Sequence, residues 1–180
     1  MIIEFERATL DDIETLIDVR NQSFYEDFVR YGECPGYNRS KEDMTWAILN
    51  RMVYKIVCDG RTVGNISVDD SQNETCRLCC LCVIPDYENR GIGQEALRFI
   101  EREFPNATTW TLETPSDKMR NHYFYKKAGY KIIKEYLDGA VKLVLFQKIM
   151  NAPKSEPSPK RSERAALPPH SHSARGSAQQ

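Results

Sequence analysis

Two glycines mark a turn whose backbone could bind a phosphate group. Gly91 and Gly93 lie in "YENRGIG", between a strongly apolar run and a segment with helical periodicity. The free N–H groups at the start of a helix point outward, and the helix dipole favours negative charge, so such a turn attracts anions. The polar residues that flank the glycines are Asn89, Arg90 and Gln94. The pattern predicts an anion site, although an ordinary tight strand–helix turn has the same local sequence.

Three kinds of phosphate site require different residues beside the glycines. A P-loop needs Gly-Lys-Ser/Thr, which does not follow this turn. A dinucleotide fingerprint needs a third glycine, and Ala96 stands at that position. The diphosphate of coenzyme A is the third possibility.

Two longer segments resemble the signature motifs of one enzyme superfamily. "LCVIPDYENRGIGQEAL" (81–97) resembles motif A of the GNAT superfamily, the acyl-CoA-dependent N-acyltransferases, and "FYKKAGYKIIKE" (124–135) resembles its second signature. The resemblance covers roughly residues 1–149. It implies an α/β (α+β) GNAT fold, with a mixed, mostly antiparallel sheet of about seven strands, splayed between the fourth and fifth, and about four flanking helices.

The resemblance also implies a reaction and a set of site residues. Acetyl-CoA would be the co-substrate, and its acetyl group would move to a primary amine by direct attack in a ternary complex. Tyr125 would be the general acid that protonates the departing thiolate; its other interpretation is a core aromatic. The residues implied to bind the coenzyme are Leu81, Cys82 and Val83 at the pantetheine arm and thioester, Asn89, Arg90, Gly91, Ile92, Gly93 and Gln94 at the diphosphate, and Asn121.

Two positions depart from the family pattern. Glu88 stands where the family most often has Gln or Arg, and Lys118 stands where it usually has Asn. A carboxylate beside a diphosphate lowers affinity unless it points away or pairs with Arg90. These departures keep open a second class of function, a catalytically silent domain that binds acyl-CoA as a regulatory module.

The amine-binding residues are less well defined by the sequence. The segment 26–38 has acids and aromatics but no periodicity. Its acids Glu26, Asp27 and Glu33, together with aromatics such as Tyr31, could receive a cationic amine; a solvated loop is the alternative. Glu113, Glu74 or water could accept the proton of the amine. A small molecule is the expected acceptor, and a protein or peptide amine is the alternative because sequence does not reveal the shape of a groove.

Alternating helices and strands must position these residues. Thr9 and Ser40 are expected N-caps of two helices, and Asp59-Gly60 is a hairpin signal. The run 75–84 is nearly continuous in apolar character and reads as a central strand. Helices are predicted at 93–104 and, capped by Ser116, at 116–129. The predicted order is β-α-α-β-β-β-α-β-α-β-β.

Composition limits the remaining possibilities. The 180 residues carry a formal charge of −1, which gives no electrostatic reason to expect nucleic acid or a membrane surface. The first residues lack the pattern of a signal peptide, so we expect a cytoplasmic protein, monomeric or homodimeric. Composition changes at residue 151, which predicts a domain at 1–150 and a disordered basic tail at 151–180.

Four cysteines in "CRLCCLC" raise the question of a metal site. Strand alternation predicts Cys76, Cys80 and Cys82 on one face and Cys79 on the other. A structural zinc site needs two separated ligand pairs, and only one is present here. We therefore expect free, buried thiols and no metal.

Overall fold

Seven strands and four helices make up residues 1–72 and 74–150, the part of the chain that the computed structural model describes. The strands are β1 (Ile3–Arg7), β2 (Met52–Cys58), β3 (Arg61–Gln72), β4 (Thr75–Val83), β5 (Thr109–Pro115), β6 (Lys131–Asp138) and β7 (Val141–Ile149). The helices are α1 (Ile13–Tyr31), α2 (Lys41–Asn50), α3 (Ile92–Glu103) and α4 (Met119–Lys127). The order along the chain is the predicted one.

The strands form one mixed sheet in the order β1-β2-β3-β4-β5-β7-β6. Every neighbouring pair is antiparallel except β4 and β5, which are parallel. These two strands pair only between Thr75–Arg77 and Thr109–Thr111, so the rest of β4 diverges from β5. The divergence is the predicted splay between the fourth and fifth strands, and the expected fold is confirmed.

Local sequence signals explain most element boundaries. Asp59 and Gly60 have φ values of 48° and 80°, as the two-residue turn between β2 and β3 requires. The Ser40 hydroxyl accepts a hydrogen bond from the Asp43 N–H at 3.0 Å and caps α2. The Thr9 N–H donates to Asp12 at 2.8 Å just before α1. The Asp59-Gly60 turn and the Ser40 cap were correctly assigned from the sequence, whereas Thr9 caps a short 3-10 turn, Leu10–Asp12, that precedes α1.

Two hydrophobic clusters hold the helices against the sheet. The larger includes Trp110, Phe146 and the apolar stripe of α3, in which Ile100 is fully buried. The smaller joins α1 and α2 to the first strands through residues such as Leu16 and Met44, both also fully buried. Burial of each such side chain contributes about 1.5–3 kcal/mol, which fixes the helices that carry polar site residues on their other faces.

Two boundaries differ from the sequence prediction. Helix α1 continues to Tyr31, so the first part of the segment 26–38 is helical rather than irregular. Its last turns contribute Asp27 and Arg30 to a cavity instead of apolar side chains to the core, which is why the periodicity is lost there. Helix α4 begins at Met119, because the Ser116 N–H donates to Lys142 O at 2.8 Å and is still part of the sheet pairing.

A β-bulge divides the cysteines of β4 differently from the prediction. Ser67 lies opposite Cys80, whereas the next residue, Val68, lies opposite Leu78. Directly opposed residues share a face, so the bulge puts Leu78 and Cys76 on the face opposite to Cys80 and Cys82. The expectation that Cys76, Cys80 and Cys82 share one face was therefore wrong. The predicted tail at 151–180 lies outside the described residues.

Candidate functional site

A cavity of about 770 Å³ lies beside the diverging end of β4. It is bounded by that strand end, the glycine turn with the start of α3, the helix α4 and the last turns of α1. Most of the residues predicted to bind a coenzyme line this cavity. They are Leu81, Cys82, Val83, Asn89, Gly91, Ile92, Gly93, Gln94 and Asn121.

The turn before α3 exposes backbone donors to the cavity. Asn89 and Gly91 have φ values of 57° and 81°, a left-handed conformation that glycine adopts at little cost. The first backbone bond into α3 is from the Glu95 N–H to Gly91 O at 3.1 Å, so the preceding N–H groups lack intrahelical acceptors. The turn therefore has the geometry of an anion site at a helix N-terminus.

Gly93 has a second role, in the packing of two helices. A Cβ atom at this position would lie 3.1 Å from two atoms of the Phe124 ring. The absence of a side chain thus lets α4 approach the start of α3 closely. The same approach brings Tyr125, the neighbour of Phe124, to the wall of the cavity.

The charged residues around the turn are paired differently from the expectation. Arg90 lies outside the cavity lining, where its guanidinium donates to Asp86 O at 2.7 Å and lies over the Tyr87 ring at 4.9 Å. Arg120 of α4 lines the cavity and donates to Glu88 at 2.7 Å and to Asn89 at 3.2 Å. Glu88 is therefore neutralised by Arg120 and not by Arg90.

Lys118, just before α4, and Asn121 within it are also held in place. Lys118 forms an ion pair with Asp27 of α1, and both residues line the cavity. The Asn121 amide donates to the Thr114 hydroxyl at 2.8 Å, which orients this side chain at the end of β5. These contacts connect α4 to α1 and β5 across the cavity.

The second half of β4 presents backbone groups on its β5 side. Past Arg77 the strand has no ladder partner in β5, while its other edge is paired with β3 as far as Gly64 and Val83. A strand edge with free N–H and C=O groups can pair with an extended ligand. A Cβ on Gly64 would lie 2.5 Å from Cys82 O, so this glycine permits the position of the β4 backbone.

Tyr125 is buried but reaches the cavity. The residue is 9% exposed, and its ring packs against Phe124, Tyr130 and Phe146 at centroid distances of 5.0–5.9 Å. Burial raises the pKa of the Tyr125 hydroxyl well above its usual value, with a smaller contribution from Cys80 and Cys82. The hydroxyl therefore keeps its proton at neutral pH and can act as a proton donor.

Glu113, a candidate base, and Tyr31 and Glu33, predicted contacts of the amine, lie outside the cavity lining. Glu113 accepts hydrogen bonds from Tyr136 and Arg77, and the Tyr31 hydroxyl donates to Asp117 at 2.6 Å. Glu33 is exposed just after α1. Two other acids of the predicted segment, Glu26 and Asp27, do line the α1 side of the cavity, together with Arg30, Asp117 and Lys118.

Sequence reasoning missed two cations of α4, Arg120 and Lys127, which line the cavity. Helical spacing could have found the first. Arg120 and Asn121 lie one turn before Phe124 and Tyr125, so all four share the side of α4 that faces the cavity. The pairing of Arg120 with Glu88 joins residues 32 positions apart and has no local signal.

The described residues contain no group of three or more His, Cys, Asp or Glu side chains that could hold a metal ion. None of the helices in 1–72 and 74–150 is long and apolar enough to cross a membrane.

Sequence comparison matches the central part of the chain to known proteins. Residues 50–132 match the model of the acetyltransferase (GNAT) domain. A segment of 87 residues is 37% identical to the uncharacterized protein YrkN of Bacillus subtilis strain 168. That alignment covers 47% of each of the two chains, so the chain matches about half the length of this relative.

Solved structures of N-acetyltransferases share the fold. The PaiA N-acetyltransferase of Thermoplasma acidophilum, in complex with coenzyme A, has a TM-score of 0.72 and 21% identity, covering 83% of this chain and 100% of its own. The ribosomal-protein-S18-alanine N-acetyltransferase of Escherichia coli has a TM-score of 0.69 and 13% identity, covering 86% and 99%. Arabidopsis thaliana NAA60, in complex with a bisubstrate analogue, has a TM-score of 0.65 and 14% identity, covering 83% and 100%.

Proposed function

We propose that this chain, whose residues 50–132 match the model of the GNAT acetyltransferase domain, transfers an acetyl group from acetyl-CoA to a primary amine by direct attack in a ternary complex. One observation carries the proposal. The free edge of β4, the glycine turn before α3 and Tyr125 all open into the same cavity. This arrangement offers an extended ligand backbone partners, an anion site and a proton donor together.

The coenzyme would bind along the free edge of β4 and across the start of α3. Backbone groups of Leu81, Cys82 and Val83 would pair with the amides of the pantetheine arm. The N–H groups at Gly91–Gln94 would bind the diphosphate. Arg120 and Lys127 add positive charge beside that anion, a role that the sequence analysis gave to Arg90.

The proposed chemistry has three linked steps. The unprotonated amine attacks the thioester carbonyl, and a backbone N–H of β4 stabilises the oxygen, which gains negative charge; such a donor is typically worth about 10²–10³ in rate. The C–S bond then breaks, the acetyl group stays on nitrogen, and Tyr125 gives its proton to the thiolate. The nitrogen loses a proton to water, and water returns a proton to the Tyr125 oxygen. Glu113 is not proposed as the base, because Tyr136 and Arg77 hold its carboxylate.

The acceptor would enter from the α1 side of the cavity. Ser23, Glu26 and Asp27 line this end, which is polar and charged. We propose a small-molecule amine as the acceptor, and binding of this amine by Tyr31 and Glu33 stays a prediction. A peptide amine is the alternative, and it would require a longer groove than one bounded by the Lys118–Asp27 ion pair.

The decisive experiment measures coenzyme A release. The protein is incubated with acetyl-CoA and a panel of small amines and peptides, and both the free thiol and the acetylated product are quantified by mass. We expect one class of amine to give stoichiometric amounts of both. If acetyl-CoA raises the melting temperature but no amine is acetylated, the domain is a silent acyl-CoA-binding module, and the enzymatic proposal fails.

A further inference from the structure

Three arginines converge on the face of the sheet that α1 covers, next to the cavity. Arg20 of α1 is 4% exposed, Arg39 lies in the segment before α2, and Arg51 follows α2. Arg51 has extended backbone angles and lies two residues before Val53, which is paired with Ser67, so Arg51 is on the same face of the sheet as Ser67 and Cys80. A hydrogen bond with Cys82 and, after it, the positive charges of the three arginines lower the pKa of the Cys80 thiol. We call Arg20, Arg39 and Arg51, together with Ser67 and Cys80, the arginine cluster.

Hydrogen bonds fix the floor of the cluster. The Arg20 Nε donates to Asn65 Oδ1 at 2.9 Å, and the Asn65 amide donates to Tyr54 O at 3.0 Å. Asn65 and Ser67 lie opposite Cys82 and Cys80 on neighbouring strands, so these four side chains share the α1 face. The Asn38 N–H donates to Asn21 Oδ1 at 2.7 Å, which fixes the segment bearing Arg39 against α1.

The positive charge of the cluster exceeds the negative charge around it. Asp43 acts on Arg39 and Asp69 acts on Arg51, but no carboxylate forms an ion pair with Arg20, Arg39 or Arg51 in residues 1–72 and 74–150. Burial and the charges of Arg20 and Arg51 lower the pKa of Arg39 against the opposite effect of Asp43. Bringing guanidinium groups together in a protein interior is costly unless an anion neutralises them.

Two buried polar atoms of the cluster are also without partners. The Ser67 hydroxyl, on a residue that is 1% exposed, makes no hydrogen bond to a described residue, and neither does the Arg51 Nε. Buried polar atoms are almost always hydrogen-bonded, and each exception needs an explanation. The Ser67 hydroxyl and the guanidinium donors of the cluster suit a ligand group that supplies several acceptor oxygens.

The cluster adjoins the wall of the cavity. Ser23 lies one helical turn beyond Arg20, and Cys82 lies two residues beyond Cys80 on the same face of β4; both Ser23 and Cys82 line the cavity. One helical turn spans about 5.4 Å and two strand residues about 6.6 Å. A small molecule whose amine reached the free edge of β4 could therefore place a second group among the arginines.

We propose that the arginine cluster binds an anionic group of the acceptor, so that the substrate of this domain is an amine that also carries a carboxylate. The inference rests on the proposed acetyl transfer and narrows its substrate class. Guanidinium groups bind carboxylates through paired N–H donors, and the Ser67 hydroxyl can add a third. A phosphate offers the same acceptor oxygens, and the experiment separates the two anions.

The test compares matched amines that differ only in charge. Acetylation is measured with glycine, β-alanine and their carboxamides, and with phosphoethanolamine and ethanolamine, at equal concentrations of unprotonated amine. We expect kcat/KM for a carboxylate-bearing amine to exceed that of its carboxamide by about tenfold or more, the effect of a charge-assisted hydrogen bond. A larger ratio for phosphoethanolamine over ethanolamine would identify phosphate as the preferred anion and would overturn the assignment of carboxylate.

Variants at Arg39 test the cluster itself. Arg39→Gln should raise KM for the carboxylate substrate by about tenfold and leave KM for its carboxamide unchanged, while Arg39→Lys should retain part of the preference. Arg102→Gln removes an exposed arginine of α3 far from the cluster and is the matched control. If Arg39→Gln changes KM for both substrates equally, or changes neither KM, the arginines do not bind the carboxylate and the inference is wrong.

A binding measurement separates this inference from the proposed function. Without acetyl-CoA, β-alanine should raise the melting temperature of the wild-type protein and of Arg102→Gln, whereas β-alaninamide should not. Arg39→Gln should lose the response to β-alanine. If no amine is acetylated but this pattern is seen, the enzymatic proposal fails and the anion site stands; equal responses of wild type and Arg39→Gln would refute the site.

Discussion

Arg120 Nη1 lies 2.7 Å from a carboxylate oxygen of Glu88, across the mouth of the cavity and beside the glycine turn. The pair brings the first turn of α4 against the start of the glycine turn. It also neutralises a carboxylate that would otherwise repel a diphosphate. A negative residue is therefore tolerated at position 88 because another element supplies its counter-charge.

The Glu88–Arg120 pair predicts a non-additive pair of mutations. Arg120→Ala leaves Glu88 uncompensated beside the anion site, so we expect the Kd for acetyl-CoA to rise by about three- to tenfold, as for loss of a partly screened charge contact. Glu88→Gln/Arg120→Ala should recover part of that loss. Calorimetric titration of the wild type, both single variants and the double variant measures the coupling. Additive changes would show that Arg120 acts on the coenzyme without Glu88.

The anion site predicts a charge effect at Gly93. Gly93→Glu should abolish the rise in melting temperature that acetyl-CoA produces, because it adds a carboxylate among the N–H donors. Gly93→Ala is the matched control: its Cβ would press on Phe124 but add no charge, so stabilisation by acetyl-CoA should largely survive. An undiminished rise in the melting temperature of Gly93→Glu would show that acetyl-CoA binds away from this turn.

The sequence predicted most of the fold because its signals are local. Caps such as Ser40, the Asp59-Gly60 turn and strand alternation depend on neighbouring residues, and they located most elements to within a few positions. The bulge puts Cys76 and Cys80 on opposite faces of the sheet. It depends on the pairing of β4 with β3, and the sequence of β4 alone does not indicate it. Alternation alone therefore misplaced Cys76.

The sequence located the backbone elements that line the cavity, but it did not predict the side-chain contacts between distant residues. The glycine turn and the end of β4 were found because their sequence determines their geometry. The partners of Arg90, Glu113 and Tyr31 were not, because each contact joins separate parts of the tertiary structure. The arginine cluster was missed for the same reason, since Arg20, Arg39 and Arg51 approach one another only when α1 packs on β4.

Close backbone approach predicts a stability effect at Gly64. A Cβ at this position would lie 2.5 Å from Cys82 O, so Gly64→Ala must displace β3 or the free end of β4. We expect a loss of about 1–3 kcal/mol in the free energy of unfolding, as for overpacking, and weaker acetyl-CoA binding. Urea denaturation and titration measure the two effects. Gly60→Ala is the control: it is strained by its φ of 80° but has open space, so it should affect stability alone.

Tyr125 predicts a defined pH dependence of catalysis. Burial raises the pKa of its hydroxyl in the folded state, so the proton stays on the oxygen at neutral pH and is lost only well above pH 10. Below about pH 10 the hydroxyl is neutral in both the folded and the unfolded state, so the raised pKa has no effect on stability. As the pH rises from the unfolded pKa towards the folded one, the unfolded state loses the proton first and the fold becomes less stable. A fall in kcat between pH 8 and 10 would have to come from another group.

Replacement of the hydroxyl tests its proposed role directly. Tyr125→Phe keeps the ring contacts with Phe124, Tyr130 and Phe146, so the melting temperature and the Kd for acetyl-CoA should change little. If the hydroxyl protonates the departing thiolate, kcat should fall by about 10²–10⁴, with the low end expected where proton transfer only partly limits the rate. The defect should shrink as the pH is lowered, because solvent then protonates the thiolate more readily.

Tyr123→Phe removes the hydroxyl of an exposed tyrosine two residues away and is the matched control. A loss of less than about threefold in Tyr125→Phe, with a lower melting temperature, would make Tyr125 a packing residue and assign the proton to water.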